Sequence, residues 1–544
     1  MKKLLAGILA LAMVLSLFSF AAAADEPLTV TVFCGDPGDQ PASDNKIYKM
    51  IEDELGIKFE FEFLAGDLDE TLGTKLIGED YPDLFNGSNS AEKLINGGAL
   101  IDLLPYISEE KTPNLYNHIK DLLPSLVDEE GKLYIIPNYG IYYNEQITNY
   151  CNGPAFFIQK QVLAWAGYPQ IKTLNEYFDL IERFIAANPT DENGAAYEGF
   201  AILCEGWRHF CLINPVQHLM GRPNDGEVIV NVNSGNWETE TFINQPYAKG
   251  YYQKLNEMYN KGLIKKDTFV MNYDQYIAKL SSGTVLAMFD QTWDFGTATQ
   301  ALETAGMNKN TYIALPLVYD ESYGYGTITE QYLNGTVPNK NRGFGISVNC
   351  EYPERMIELF ETLLSDRWQT ILQWGIEGED YTVSEDGRML MTQEQYLQRS
   401  DASWQIKNMA KAIWDGAPKK QGLMDNGNAW DPASQDEIYF DRMNDYDKEF
   451  LAAYGYKKPA DFFNAPCELA PYGEAWQIDK APIQDDYDDF LLIQDQQLPG
   501  IIMATDEADF NAKWDAFVEA ITPSAKIYSD FMQAEVLKLV DAAK

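Results

Sequence analysis

Polar and apolar residues begin to alternate at residue 28. Leu28, Val30 and Val32 fall on one side of an extended chain, and Ile57, Phe59, Phe61 and Phe63 alternate with Lys58, Glu60 and Glu62. Both patterns have the period of a half-buried strand. Between them Ile47, Met50, Ile51 and Leu55 recur at helical spacing, and Gly56 supplies a stop. Strand, helix and strand in this order predict a parallel pair joined by a right-handed crossover. Thr173-Leu174-Asn175-Glu176 spells a capping box before the stripe Leu174, Phe178, Ile181 and Ile185. Pro353 sits at the first turn of a helix carrying Met356, Ile357, Phe360, Leu363 and Leu364. Near the end, Phe510, Trp514, Phe517 and Ile521, then Ile527, Phe531, Val536 and Leu539, predict two more helices, with Trp514 in the core. Short apolar strands are expected at 284–289, 312–317 and 343–348. Strands and helices alternating without a low-complexity linker predict an α/β protein whose lobes interweave in sequence.

The first 24 residues break this pattern. Lys2 and Lys3 precede an apolar run to Phe20, and Ala21 to Ala24 provide the small residues of a cleavage site. This is the layout of a secretory signal peptide, so the protein is expected to be exported. The remaining sequence has ordinary globular composition for 544 residues, 46% hydrophobic and 23% charged, too long for one core. Its charge is unusual: 83 acidic residues against 41 basic ones give −42. Such a surface repels phosphate backbones and anionic headgroups, which excludes nucleic acid as a partner. The 33 Tyr, 27 Phe and 11 Trp exceed the needs of core packing, so some rings are expected at a recognition surface.

Signatures of catalysis are scarce. The chain has three histidines, no HExxH, no CxxC, no GxSxG elbow and no phosphate-binding loop. Six cysteines are too few for a disulfide scaffold; Cys204 and Cys211 are close enough to pair, and equally read as two buried thiols. Paired carboxylates for glycoside hydrolysis are available in any chain with 83 acidic residues, so their presence carries little weight.

A set of short phrases in fixed order is more informative. Tyr81-Pro82-Asp83-Leu84-Phe85 comes first, then Gly131-Lys132-Leu133-Tyr134-Ile135-Ile136-Pro137, and Ser282-Gly283-Thr284-Val285-Leu286-Ala287-Met288 running into Asp290 and Trp293. Arg342-Gly343-Phe344-Gly345-Ile346-Ser347 and Trp374-Gly375-Ile376-Glu377-Gly378-Glu379-Asp380-Tyr381 follow. Together they resemble the family 1 extracellular solute-binding proteins of bacterial ABC importers, in particular the large oligosaccharide-binding branch. The resemblance spans roughly residues 28–390 and continues loosely to the end. It implies a two-lobed, periplasmic-binding-protein-like α/β fold with a central ligand cleft and hinge crossings near 142–155 and 342–344. The lobes would then be 25–142 with 342–400, and 143–341 with the helices of 401–544. The implied function is capture of an oligosaccharide by a non-enzymatic, monomeric protein and its delivery to the transmembrane subunits of the importer. A secreted glycoside hydrolase and a surface adhesin or sensor are the alternatives. Many relatives carry a lipid-anchoring cysteine at the cleavage site, whereas here the first cysteine is Cys34, inside a predicted strand.

Sugars present an apolar ring face and a polar rim, which aromatic plates and nearby polar side chains complement. Trp207, in a polar stretch, and Trp293, after an apolar strand, match positions of sugar-contacting aromatics in the resembled family, with Arg208 and Asp290 as polar candidates beside them. Trp430 is a further aromatic candidate. Asp36, Asn86 and Ser88 follow predicted strands, at the carboxyl edge where open α/β sheets bind ligands, and Tyr139 lies in the loop near the first crossing. Some relatives carry a calcium loop. The matching stretch here offers Asp191, Asn193 and Glu198, but Pro189 replaces the first carboxylate, so no cofactor is expected and calcium is only a weak candidate.

Overall fold

The computed structural model describes residues 26–543 apart from 129, 329–330, 334, 336 and 466–469; the expected signal peptide lies outside the described residues. The chain forms two compact units. The first runs up to Tyr143 and includes Pro338–Pro432; the second is Asn144–Val337 with the chain from Ala433 onward.

In the first unit the expected strand–helix–strand forms. Leu28–Cys34 pairs in parallel with Ile57–Phe63 over its whole length, and Lys46–Leu55 is the intervening helix. Asn45 caps that helix by accepting hydrogen bonds from the backbone N–H groups of Ile47 and Tyr48, and Gly56 ends it in the left-handed conformation with φ 62°. Leu84–Asn86 joins the other side of Leu28–Cys34 in parallel, and Gly345–Ile346 closes the sheet as an antiparallel edge. Ile47, Ile51, Ile346, Ile357, Phe360 and Ile413 are among the side chains buried against the sheet.

The expected boundary at 400/401 is corrected by the structure: 401–432 packs with the first unit. The cap residue Asn45 explains why. Its amide group donates to the carbonyls of Ile406 and Met409, each at 2.9 Å, so the segment after 400 satisfies a buried amide of the first unit.

The second unit is built on a three-stranded antiparallel sheet with Ala155–Gln159 in the centre, Ala287–Asp290 on one side and Tyr312–Leu315 on the other. Five consecutive central-strand residues are buried, and the Phe156 ring packs edge-on to Tyr177 and Phe289. Tyr177 belongs to the helix Leu174–Ala187, whose capping box forms as its sequence predicts.

The C-terminal stretch differs from expectation: 507–542 is one helix of 36 residues with Pro523 inside it, where two helices were expected. Proline removes one helical N–H and crowds the preceding turn. The apolar stripe nevertheless runs across it without a break, through Phe517, Ile521, Ala525, Tyr528 and Met532, all buried, against the helix Gln484–Ile502. Tertiary packing therefore overrides the local stop signal.

Thr173→Ala removes one half of the capping box and should cost the second unit about 1 kcal/mol. Chemical denaturation checks this, with Thr173→Ser expected to retain most of the stability.

Candidate functional site

Two side-chain clusters, one in each unit, contain most of the residues singled out in the sequence. In the second unit the strand Ala287–Asp290 ends at a buried aspartate, and Gln291 leads into the helix Thr292–Thr304. Trp293, in the first turn, is 55% exposed. Opposite it, Gly206 takes φ 55° and starts the short turn Gly206–His209, which leaves Trp207 62% exposed. The two indoles stack, with ring centroids 5.7 Å apart and planes 17° from parallel. Phe210 stacks on Trp207 at 6.1 Å. Stacked and each more than half exposed, the two indoles form an apolar plate at the surface, and the Trp293 ring N–H donates to Gln291 at 2.9 Å to fix its tilt.

Charge braces this plate from below. The Arg208 guanidinium lies between the Trp207 ring, 4.4 Å away, and the Tyr273 ring, 3.9 Å away. Its Nε donates to Asp294 at 2.9 Å, and the Tyr273 hydroxyl donates to the Asp294 carbonyl. Asp290 is fully buried and corrects the expectation that it touches ligand: its carboxylate accepts from the Tyr276 hydroxyl and the Gln291 N–H, both at 2.7 Å. Burial, reinforced by the neighbouring Asp294 charge, pushes Asp290 up to about 7 despite those donors. Cys211 completes the cluster; its thiol is pushed far up by burial. Cys204 and Cys211 are both free thiols. The ligand atoms of Cys211, Asp290 and Asp294 lie within 4.8 Å of one another. Arg208, Tyr276 and the Gln291 N–H already direct donors at these carboxylates, an arrangement suited to buried anions rather than to a metal. Phe210, Tyr273 and Asp294 were not singled out from the sequence. Asp294, immediately after Trp293 and beside a lone arginine's reach, has no local signal that marks it.

In the first unit, the strands Leu28–Cys34 and Leu84–Asn86 end side by side. Gly35 donates its N–H to the Asn86 carbonyl at 2.8 Å, and a Cβ at Gly35 would sit 2.6 Å from that same oxygen. Only glycine permits this approach, and it carries Asp36 onto the Ser88 hydroxyl, which donates at 2.8 Å. Arg342 donates to the other Asp36 oxygen at 2.7 Å. Asn86 is spent locally, accepting from the Ser88 N–H, and Ser88 is buried with φ 48°. Tyr139 is half-buried between Asn138, whose N–H donates to the Arg342 carbonyl, and Gly140, whose N–H donates to Gln421.

Trp430 is corrected on two counts. It belongs to the first unit, and it is only 4% exposed, behind Lys420, so its faces are not a surface plate. The calcium candidates are not brought together as ligands. Asp191 accepts from the N–H groups of Asn193 and Ala195, the pattern of a polar turn, while the buried Glu198 pairs with Lys279 at 2.6 Å. His118 and His218 are buried and held neutral, each pushed down to about 3 chiefly by burial.

Residues 46–372 match the model of the bacterial extracellular solute-binding protein family. Several solved structures share the fold. An extracellular solute-binding protein from Bifidobacterium longum subsp. infantis aligns with a TM-score of 0.66 at 16% identity, over 96% of this chain and 99% of that one. An HMO-binding, ABC-transporter-associated solute-binding protein from Bifidobacterium longum infantis gives 0.64 at 15%, over 94% and 99%. The Streptococcus pneumoniae ABC-transporter substrate-binding protein FusA, in complex with kestose, gives 0.60 at 16%, over 94% and 99%. No curated protein sequence matches the chain.

The Asp290 shift has a definite pH consequence. Its folded value, about 7, lies above the ordinary 3.8, so between these values the folded state binds the extra proton. Its contribution to stability is therefore largest at the acid end and falls as pH rises from about 4 to about 7. Asp290→Asn should flatten that decline, which denaturation curves of both proteins across the window will show. Parallel curves would rule out Asp290 as the titrating group.

Proposed function

The chain belongs to the bacterial extracellular solute-binding proteins, and from that premise we propose that it captures an oligosaccharide on the Trp207–Trp293 plate and passes it to the transmembrane subunits of an ABC importer. The observation that carries this reading is the stacked, exposed indole pair. A pyranose buries its C–H face well on an exposed indole, and the Gln291 side chain beside Trp293 suits ring hydroxyls. The fold shared with an HMO-binding protein and with a kestose-bound substrate-binding protein supports a sugar as the ligand class. The leader-like first 24 residues support export, and no helix among the described residues is long and apolar enough to cross a membrane.

The family is one of binding proteins, not enzymes, so the hydrolase alternative falls away. The local geometry gives it no help: Asp294 and Asp290, beside the plate, are buried, the first paired with Arg208 and the second enclosed by Tyr276 and Gln291. Neither is placed to flank a glycosidic bond.

A thermal-shift screen against plant, milk and mucin oligosaccharides should find at least one ligand that raises the melting temperature with no hydrolysis product formed. For that ligand, Trp293→Ala should weaken binding by about 2–4 kcal/mol, roughly 30- to 1,000-fold by calorimetry. Because the ring is exposed, the variant should melt within a few degrees of the native protein. Unchanged affinity would remove Trp293 from the site.

A further inference from the structure

The first unit holds a cation, Lys419, that makes no ion pair among the described residues. The polar cluster at its sheet edge is otherwise paired: Arg342 with Asp36 at 2.7 Å, and Lys411 with Asp415 at 2.5 Å. Lys419 stands beside these pairs without a hydrogen bond or ion pair of its own. Its ammonium lies 4.0 Å over the face of Trp414. The charges that act on it are Asp415 and Asp431, which favour its protonated form, and Lys411 and Arg342, which oppose it. Burial outweighs them all and pushes Lys419 down to about 8, so it is still mostly charged at neutral pH.

The backbone that presents Lys419 is held from both sides. The buried Gln369 donates to the Pro418 carbonyl at 3.1 Å and accepts from the Lys420 N–H at 2.9 Å. Gln373 donates to the Lys420 carbonyl, and Gln421 N–H donates to the Ile141 carbonyl. Lys420 is directed to Asp366 at 2.5 Å and is thereby compensated, unlike its neighbour. The site also adjoins the Asp36–Ser88–Arg342 cluster. Asn138 links them, donating its backbone N–H to the Arg342 carbonyl and its side-chain amide to the Asp415 carbonyl. A half-buried ammonium on a backbone held from both sides, with no hydrogen bond or ion pair of its own, is suited to take an anion from outside.

We propose that Lys419, seated on Trp414, is a site of the first unit that takes the carboxylate of an acidic sugar, a uronate or a sialate. The ring beneath holds the ammonium in place by a cation–π contact, and the ammonium takes the acid group. This rests on the sugar-binding reading but uses residues of the first unit alone.

The test follows the reactivity of the lysine itself. At pH 7 a lysine of lowered pKa offers more free amine than ordinary lysines, so limiting acylation with an activated ester, read by peptide mass spectrometry, should label Lys419 early. Galacturonate or N-acetylneuraminate at about 100 mM should slow that labelling about fivefold or more, following 1 + [L]/Kd, while galactose leaves it unchanged. The same protection is expected in Trp293→Ala. Protection there with unaltered oligosaccharide affinity would sink the plate and spare the subsite. Lys419→Met should abolish binding of these acids and melt no lower than the native protein, because it removes a buried charge without a partner. Labelling unaffected by either acid, slowed equally by galactose, or slowed equally by inorganic sulfate would overturn the proposal. So would a large melting loss in Lys419→Met, which would make the cation structural.

Discussion

A guanidinium wedged between two rings sets the geometry of the second unit's recognition surface. Arg208 can lie flat under Trp207 only because Asp294 fixes its Nε and Tyr273 closes its far face. Asp294 in turn can be buried only because Arg208 neutralises it. Removing either partner leaves a buried charge alone, the costly case for such pairs. Without this brace two exposed indoles would be free to collapse onto the nearest apolar surface, since nothing in their own chemistry favours exposure. The polar network beneath the rings is thus what keeps apolar faces at the surface.

Charge is used differently in the two units. Under the plate the arginine is compensated, and its role is mechanical. At the sheet edge of the first unit two ion pairs are closed and Lys419 is left over. The net charge of −42 bears little on this local imbalance. Exposed charges act through water and salt over about 8–10 Å, whereas a half-buried ammonium responds mainly to its immediate surroundings. A strongly acidic protein can therefore hold a local site for an acid.

The glycines show how backbone and side chains cooperate at these sites. Gly35 allows two strand ends to touch, so that Asp36 meets Ser88. Gly343, with φ 150°, follows Arg342 where a Cβ would strike the Ile136 carbonyl. Both place a charged residue at a strand edge that a larger residue would push apart.

Much of the fold was legible in the sequence because its signals are local. Alternation at Leu28–Cys34 and Ile57–Phe63, the Thr173 cap and the Gly56 stop each depend on a few neighbouring residues, and each forms as read. Trp207 and Trp293 were also legible, since a tryptophan in a polar stretch and another just past a strand end already suggest surface rings. What the sequence could not show was decided by contacts between distant segments. Residues 401–432 join the first unit because Asn45, over 350 residues earlier by separation, needs the carbonyls of Ile406 and Met409. Pro523 fails to end its helix because a partner helix buries the stripe on both sides of it. Asp290 and Trp430, plausible ligand contacts by position, are buried in the folded chain, and Asp294 and Tyr273 become supports only once Arg208 is folded between them. Local propensity fixes which elements exist. Burial and charge compensation, which belong to the assembled chain, fix which of their side chains remain free to meet a ligand.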